Sequence, residues 1–387
     1  MYFASFILKN LTRRPVRTAL TVLGLAVAVG SMIALLGISH NVEATVAEGF
    51  ERRGVDLVAV KGGVSDQLNS FMDEKIVDKV LKVPGVDPEG VDVALVDLIE
   101  MMTPSGNSIS AMMLGWPADA FAFNDLRILS GRRLRSGDTD KVMLGVTVAE
   151  NLNRKVGDTV TLQNVPCEVV GIFKSYSVFE NGSVILLLDE AQKLDGKAGL
   201  ITGFSLRVAK SKEHSEADVE AVRQRILALK DDNGKPIRLS VQTVEDYLKT
   251  ASHITMTRAM VWMVSVISIL VGVIGVLNTM IMSVLERTQE IGILRAVGWP
   301  KSRIIRMVLW EAIFLGLAAA TVGTLGAYIV TYVLTLFPKV NGFIAAEIAP
   351  VVIAEGFGLT LLIGLFGAVY PAIRAARLLP TEAIRHD

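Results

Sequence analysis

The chain has 387 residues, 51% of them hydrophobic, and a mean hydropathy of +0.47, which lies outside the range of an ordinary soluble domain. Its 39 basic and 39 acidic residues cancel to zero net charge, and no basic block tracks phosphates, which argues against a nucleic-acid partner. Cys167 is the only cysteine, so an internal disulfide is excluded.

Residues 1–17 put Phe3, Phe6, Ile7 and Leu11 on one helical face and then turn basic at Arg13 and Arg14. That pattern suits a cytoplasmic interfacial helix lying among the headgroups; an ordinary basic flank is the other reading. A first transmembrane helix is expected over 18–40, because about twenty uncharged residues in a helix cross a bilayer core. Its apolar stretch exceeds the core of a cleavable signal, and no small-x-small cleavage site follows, so an uncleaved anchor is predicted.

From residue 41 to 258 the apolar blocks give way to alternation, which predicts a large extracytoplasmic α+β domain. Its α/β part is expected at 45–117 and 203–250. DLVAV, FSLRVA and IRLSV read as strands there, and Ile76, Val77, Val80 and Leu81, like Val219, Val222, Ile226 and Leu229, mark helix faces. VALVDLIEMM and SISAMMLGW flank TPSGNS as a hairpin. The stretch 118–202 reads as a β-rich insertion of short strands, KVMLGV, GDTVTL, CEVVGIF and SVILLL, interrupted by one helix.

Three further apolar runs follow: a second transmembrane helix at 259–285, a third at 307–337 and a fourth at 351–373. Between them lie a charged segment at 286–306 and a short external loop at 338–350, with a tail at 374–387. Lys9, Arg13, Arg14 and Arg17 precede the first helix, Arg287, Arg295, Lys301, Arg303 and Arg306 occupy the 286–306 segment, and Arg374, Arg377 and Arg385 follow the fourth. The positive-inside rule then places both termini and 286–306 in the cytoplasm, and 41–258 outside. Small residues at four-residue spacing, Gly316 with Ala320 and Ala319 with Gly323 and Ala327, predict close helix packing within the bundle or across a dimer.

No catalytic constellation emerges. Phosphate-loop, GxSxG, HExxH and CxxC patterns are missing, and His40, His214, His253 and His386 sit at no metal-ligand spacing, so no catalytic or metal residue is assigned and no enzyme is expected on this chain. Glu311 and Glu355 fall near helix starts and read as interfacial carboxylates rather than a proton relay. The methionine groups Met101, Met102, Met112, Met113 and Met256, Met260, Met263 read as ordinary core packing, and no substrate-binding residue is named.

The segment ERTQEIGILRAVGWP is amphipathic: Ile291, Leu294 and Val297 form a stripe, Gly298 is placed to end the helix, and Pro300 suits the start of the next. Glu286 and Glu290 would be repelled by an anionic leaflet but accepted by a basic protein groove.

This motif, together with LTRRPVRTALTVLGLAVAVG, SGRRLRSGDTDKVMLGVTVAENLNRKVGDTV and YPAIRAARLLPTEAIR, resembles the ABC transporter permeases grouped around MacB, LolC and LolE, and FtsX. The resemblance covers nearly the whole chain. It implies a homodimer in a bacterial inner (plasma) membrane, bound to two copies of a separate ATP-binding subunit that holds ATP and Mg, with no cofactor on this chain. It further implies mechanotransmission, in which ATP-driven closure of the motors moves the outer domains to export or extract an amphiphile, a lipid-linked substrate or a peptide. Carried over, Glu286, Arg287, Glu290, Ile291, Gly292, Leu294, Arg295 and Gly298 form the ATPase-coupling element. MacB carries its own ATPase, whereas this sequence starts near the first membrane helix, so nucleotide is expected in trans. A periplasmic adaptor is left open. The alternative function is an FtsX-like transmembrane regulator that activates a cell-wall hydrolase.

Overall fold

The computed structural model describes residues 15–64, 70–103, 108–209, 216–337 and 347–378. Residues 1–14 of the expected interfacial helix, the hairpin tip after Thr103, most of the 338–350 loop and the end of the tail lie outside these residues.

The chain divides into two compact units. One holds Met1–His40, Arg258–Val333 and Ala346–Asp387; the other holds Asn41–Thr257 with Leu334–Ala345. In chain order, helix α1 (Pro15–Arg52) leads into β1 (Leu57–Lys61), the short β2 (Met72–Asp73) and α2 (Ile76–Val80). Then come β3 (Val86–Met102), β4 (Ser108–Trp116), a 3-10 turn at Phe121–Asp125, β5 (Arg127–Gly131) and β6 (Lys141–Gly145). Helix α3 (Val146–Leu152), β7 (Thr159–Leu162), β8 (Val165–Lys174), α4 (Val178–Asn181), β9 (Ser183–Leu187) and α5 (Leu188–Leu194) follow. The unit closes with β10 (Leu200–Ile201), β11 (Gly203–Val208), α6 (Glu216–Leu227), β12 (Leu239–Thr243) and α7 (Val244–Thr250). Helices α8 (Ser252–Glu286), α9 (Thr288–Ala296), α10 (Lys301–Thr335) and α11 (Pro350–Arg377) complete the chain.

One mixed sheet of ten strands organises the Asn41–Thr257 unit, in the order β12-β1-β11-β3-β4-β9-β6-β8-β5 with β7 against β8. β3 and β4 pair antiparallel from Leu95–Gly115 to Met102–Ser108, the hairpin that the two apolar runs foretold. In the stretch read as a β-rich insertion, β9 pairs parallel with β4, from Met112–Ser183 to Trp116–Leu187, so its strands belong to the same sheet. Alternation sets the core. Leu57, Leu95, Met113, Leu144 and Leu162 are fully buried in it, and Cys167 joins them with a thiol that burial pushes up to about 11. The GRRLRSGDTDK stretch is tied by Asp138, which accepts from Arg132 at 2.6 and 2.8 Å, from Lys141 at 3.0 Å and from the Arg135 amide. The Arg132 guanidinium holds that carboxyl well below the usual carboxylate range.

In the other unit, four helices are long and apolar enough among the described residues to cross a membrane: α1, α8, α10 and α11. Where α1 meets α10 the contact is backbone to backbone. A Cβ added to Gly323 would lie 2.7 Å from the Ala26 carbonyl oxygen, and one on Gly30 would lie 2.7 Å from the Gly323 oxygen. Gly316, Ala319, Ala320 and Ala327 are likewise buried, so the small-residue rows of α10 serve packing within the chain. Glycine and alanine occupy these crossings because lipid offers no hydrophobic drive, and close approach is what gains dispersion energy.

Candidate functional site

The charged segment between the second and third membrane-length helices folds as α9. Its end is a Schellman cap: Gly298 takes φ +97°, its N–H donates to the Arg295 carbonyl at 3.1 Å, and the Trp299 N–H donates to the Leu294 carbonyl at 3.0 Å. Only a residue without a Cβ takes that backbone conformation freely. The Arg303 N–H then donates to the Pro300 carbonyl as α10 begins. A guanidinium cover completes the corner, with Arg303 stacked 4.4 Å over the Trp299 ring and Arg295 donating to the Trp299 carbonyl at 2.9 Å.

The root of α9 is locked by two ion pairs. Glu286 accepts from Arg17 of α1 at 2.6 Å. Arg287 donates to Glu311 of α10 at 3.2 Å, and the Ser283 hydroxyl reaches the other oxygen of the same carboxylate at 3.2 Å. Glu311 is 6% exposed. Glu311, read from the sequence as an interfacial carboxylate near a helix start, lies ten residues into α10 and is buried within the unit, where a charge persists only with a partner. Arg17, Ser283 and Glu311 were missed as partners of this segment. The signal was present, since a carboxylate within an apolar run demands a cation, and Arg287 is the arginine one helix away.

The apolar stripe is divided between two surroundings. Ile291 is 2% exposed and Gly292 is buried, and Leu294 is half-buried against the same helical core. They anchor α9 to its own unit. The outward face carries Glu290, Ile293 at 51% exposure and Val297 at 77%. Of the eight coupling residues carried over from the resemblance, Ile291 and Gly292 are buried, Arg287, Leu294 and Arg295 are half-buried, and Glu286 is exposed but paired with Arg17. Glu290 and Gly298 stand on the exposed side, where Ile293 and Val297 join them. Two apolar side chains beside a carboxylate thus share this surface of α9, which has both an apolar and an ionic component.

In the sheet-bearing unit an apolar cleft of about 170 Å³ is lined by Phe50, Trp116, Phe204 and Tyr247, with Arg53 and Asp92 as its charged members. Asp92 accepts the Phe121 and Ala122 amides at 2.8 and 2.7 Å and is 9% exposed, and burial lifts its carboxyl to about 6. Met101 and Met113 are core residues as expected, whereas Met102 of β3 and Met256, Met260 and Met263 on α8 are more than half exposed, so core packing does not account for them. Among the described residues no group of histidine, cysteine or carboxylate side chains could hold a metal ion.

Family comparison fits this layout. The family model of the MacB-like periplasmic core domain matches residues 18–229, more than half of the chain, and that of the FtsX-like permease C-terminal region matches 262–380. The chain belongs to the MacB/FtsX-like family of ABC transporter permeases. Similar proteins include an uncharacterised ABC transporter permease of Methanocaldococcus jannaschii, 28% identical over 99% of this permease and 97% of its relative. The macrolide export ATP-binding/permease protein MacB of Escherichia coli is 27% identical over 98% of this permease, which spans 60% of MacB's length. Among solved structures, the periplasmic region of MacB from Actinobacillus actinomycetemcomitans aligns at 14% identity and a TM-score of 0.40, over 53% of this permease and 96% of that chain. The permease is thus a membrane protein with four apolar helices and a large α+β domain of the extracytoplasmic type.

Proposed function

We propose that this chain is the permease subunit of an ATP-driven transporter, and that the exposed face of α9 is where a separate ATP-binding subunit docks. Each of two such subunits, holding ATP and Mg, would press on one α9 of a permease homodimer, and the resulting motion would drive the outer domain to export or extract an amphiphile, a lipid-linked substrate or a peptide. Both termini and α9 lie in the cytoplasm on this reading, supported by the arginines that cluster at Arg17, Arg287, Arg295, Arg303 and Arg306 and at Arg374 and Arg377.

The observation that carries the proposal is the two-sidedness of α9. One face is fastened by Ile291, Leu294 and the Arg287–Glu311 pair, and the opposite face leaves Glu290, Ile293 and Val297 exposed. A helix resting on lipid would have no use for a carboxylate there. A helix that only capped the bundle would not expose Val297 at 77%.

The test is reconstitution with an ATP-binding subunit from the same organism, sought first in the neighbouring reading frames. Ile293→Asp and Glu290→Lys each should abolish copurification of the ATPase and permease-stimulated ATP hydrolysis, with the unfolding midpoint of the permease unchanged because both sites are exposed. Undiminished stimulation in both variants would sink the docking assignment. Transport of no amphiphile by the wild-type complex, together with capture of a wall hydrolase, would favour the regulator instead.

A further inference from the structure

We infer that the aromatic cleft of the sheet-bearing unit is a binding site for a neutral, ring-bearing molecule with one acceptor oxygen, and that the Arg53 Nε–H is the donor that holds it. This site goes beyond the α9 docking face, and its occupancy is read on the permease alone, with no ATPase present.

The cleft of about 170 Å³ adjoins a second cavity of about 250 Å³. Phe50, Arg53, Val96, Trp116 and Tyr247 line both, and every lining residue belongs to Asn41–Thr257. Together the two reach the size of small-molecule sites, roughly 300–1,000 Å³. In a chain that is only 6% aromatic, Phe50, Trp116, Phe204 and Tyr247 converge here. Phe50 and Tyr247 stand edge to face with centroids 6.0 Å apart, and Trp116 meets Phe123 in the same way at 5.3 Å. Such walls favour a cyclic guest, because ring against ring gains more than its buried area alone.

The charged members of the lining exclude an ionic guest. Glu180 has both oxygens engaged, one by Arg53 Nη2 at 2.6 Å and the other by the Ser175 hydroxyl. Asp92 accepts the Phe121 and Ala122 amides, one on each oxygen. Neither carboxylate has an oxygen to spare and Arg53 is already paired, so an ion would give up its water without gaining a counter-ion.

One donor is left over. The Arg53 Nε is buried and has no hydrogen-bond partner among the described residues, since the Asp125 carboxylate lies 3.9 Å away, beyond bonding distance. A buried N–H without an acceptor is costly, and a ligand oxygen would satisfy it. Arg53 is held in place for this: its carbonyl accepts from Arg207 Nε at 2.8 Å, and its guanidinium lies 5.5 Å from the centre of the Trp116 ring.

Benzophenone is the probe, because it is neutral and has two rings and one carbonyl oxygen. Under near-ultraviolet light that carbonyl adds across a neighbouring C–H bond, its carbon taking the carbon and its oxygen the hydrogen. With the full-length permease in nanodiscs, labelling of peptides that carry Phe50, Trp116 or Tyr247 should saturate with benzophenone concentration. Labelling of the membrane-length helices should instead rise linearly, as the probe partitions into lipid. Diphenylmethane, with CH2 in place of the carbonyl, should compete with about tenfold lower affinity than benzophenone's own, and the 4-benzoylbenzoate anion should do no better. Val96→Trp, where the two cavities share a wall, should remove the saturable label and leave the linear one. Arg53→Lys keeps a cation for Glu180 but lacks Nε, so benzophenone affinity should fall about tenfold while that of diphenylmethane holds. Linear labelling throughout would overturn the site. Equal affinity for diphenylmethane and benzophenone in the unmutated chain would overturn the role of Arg53, and tighter binding of the anion would overturn the neutral class.

Discussion

The two units of this permease solve the same packing problem with different chemistry. In the sheet-bearing unit, large aliphatic and aromatic side chains fill the core, and ion pairs such as Arg132–Asp138 tie loops at its margin. In the helical unit, glycine and alanine line the crossings, and the strongest polar contacts gather at the root of α9, in Arg17–Glu286 and Arg287–Glu311. Water explains the difference. Where water surrounds a unit, burying apolar area is the main drive, so bulk is favoured. Where lipid surrounds it, leucine against leucine gains little over leucine against lipid, and shape and hydrogen bonds decide.

The sharpest way to break that comparison is to leave a charge alone in the helical unit. Arg287→Ala should destabilise the permease by about 3–5 kcal/mol in detergent-based unfolding, because among the described residues Glu311 then keeps Ser283 alone as a hydrogen-bond partner. Glu311→Ala on top of it should recover part of that loss, whereas additive losses would mean that the two side chains do not act as a pair. Next in size, Gly323→Val should cost about 1–3 kcal/mol by forcing α1 and α10 apart at the Ala26 carbonyl. A neutral result would show that this crossing is looser than the 2.7 Å approach indicates.

The smallest effect lies in the sheet-bearing unit and concerns pH. The Asp92 carboxyl is raised to about 6, so between the unfolded value near 4 and that point the folded chain holds a proton that the unfolded chain has released. Its contribution to stability therefore falls as pH rises from about 4 to about 6, by no more than about 1.4 kcal/mol per pH unit. Asp92→Asn should flatten that part of the pH–stability curve, and an unchanged slope would assign it to another group.

Much of the fold was legible in the chain order of residues. Uncharged runs of about twenty residues announce membrane-length helices whatever surrounds them, and alternation with a Pro-Ser-Gly-Asn turn announced the β3–β4 hairpin. The rim of α9 was legible too, because Gly298 fits the left-handed cap that the structure gives it. The facing of α9 was not. Ile291, Leu294, Ile293 and Val297 are all apolar, and helical spacing alone does not say which pair meets the bundle.

Local sequence thus determined where this chain is helical or extended, which segments suit lipid, and where α9 stops, since each depends on the character of a few adjacent residues. Tertiary structure alone decided that Arg287 finds Glu311, that β9 runs parallel to β4 and carries 118–202 into one sheet, and that Ile293 rather than Ile291 faces outward. Those outcomes join residues distant in sequence, and only the competition among whole packed arrangements selects between partners that are locally equivalent.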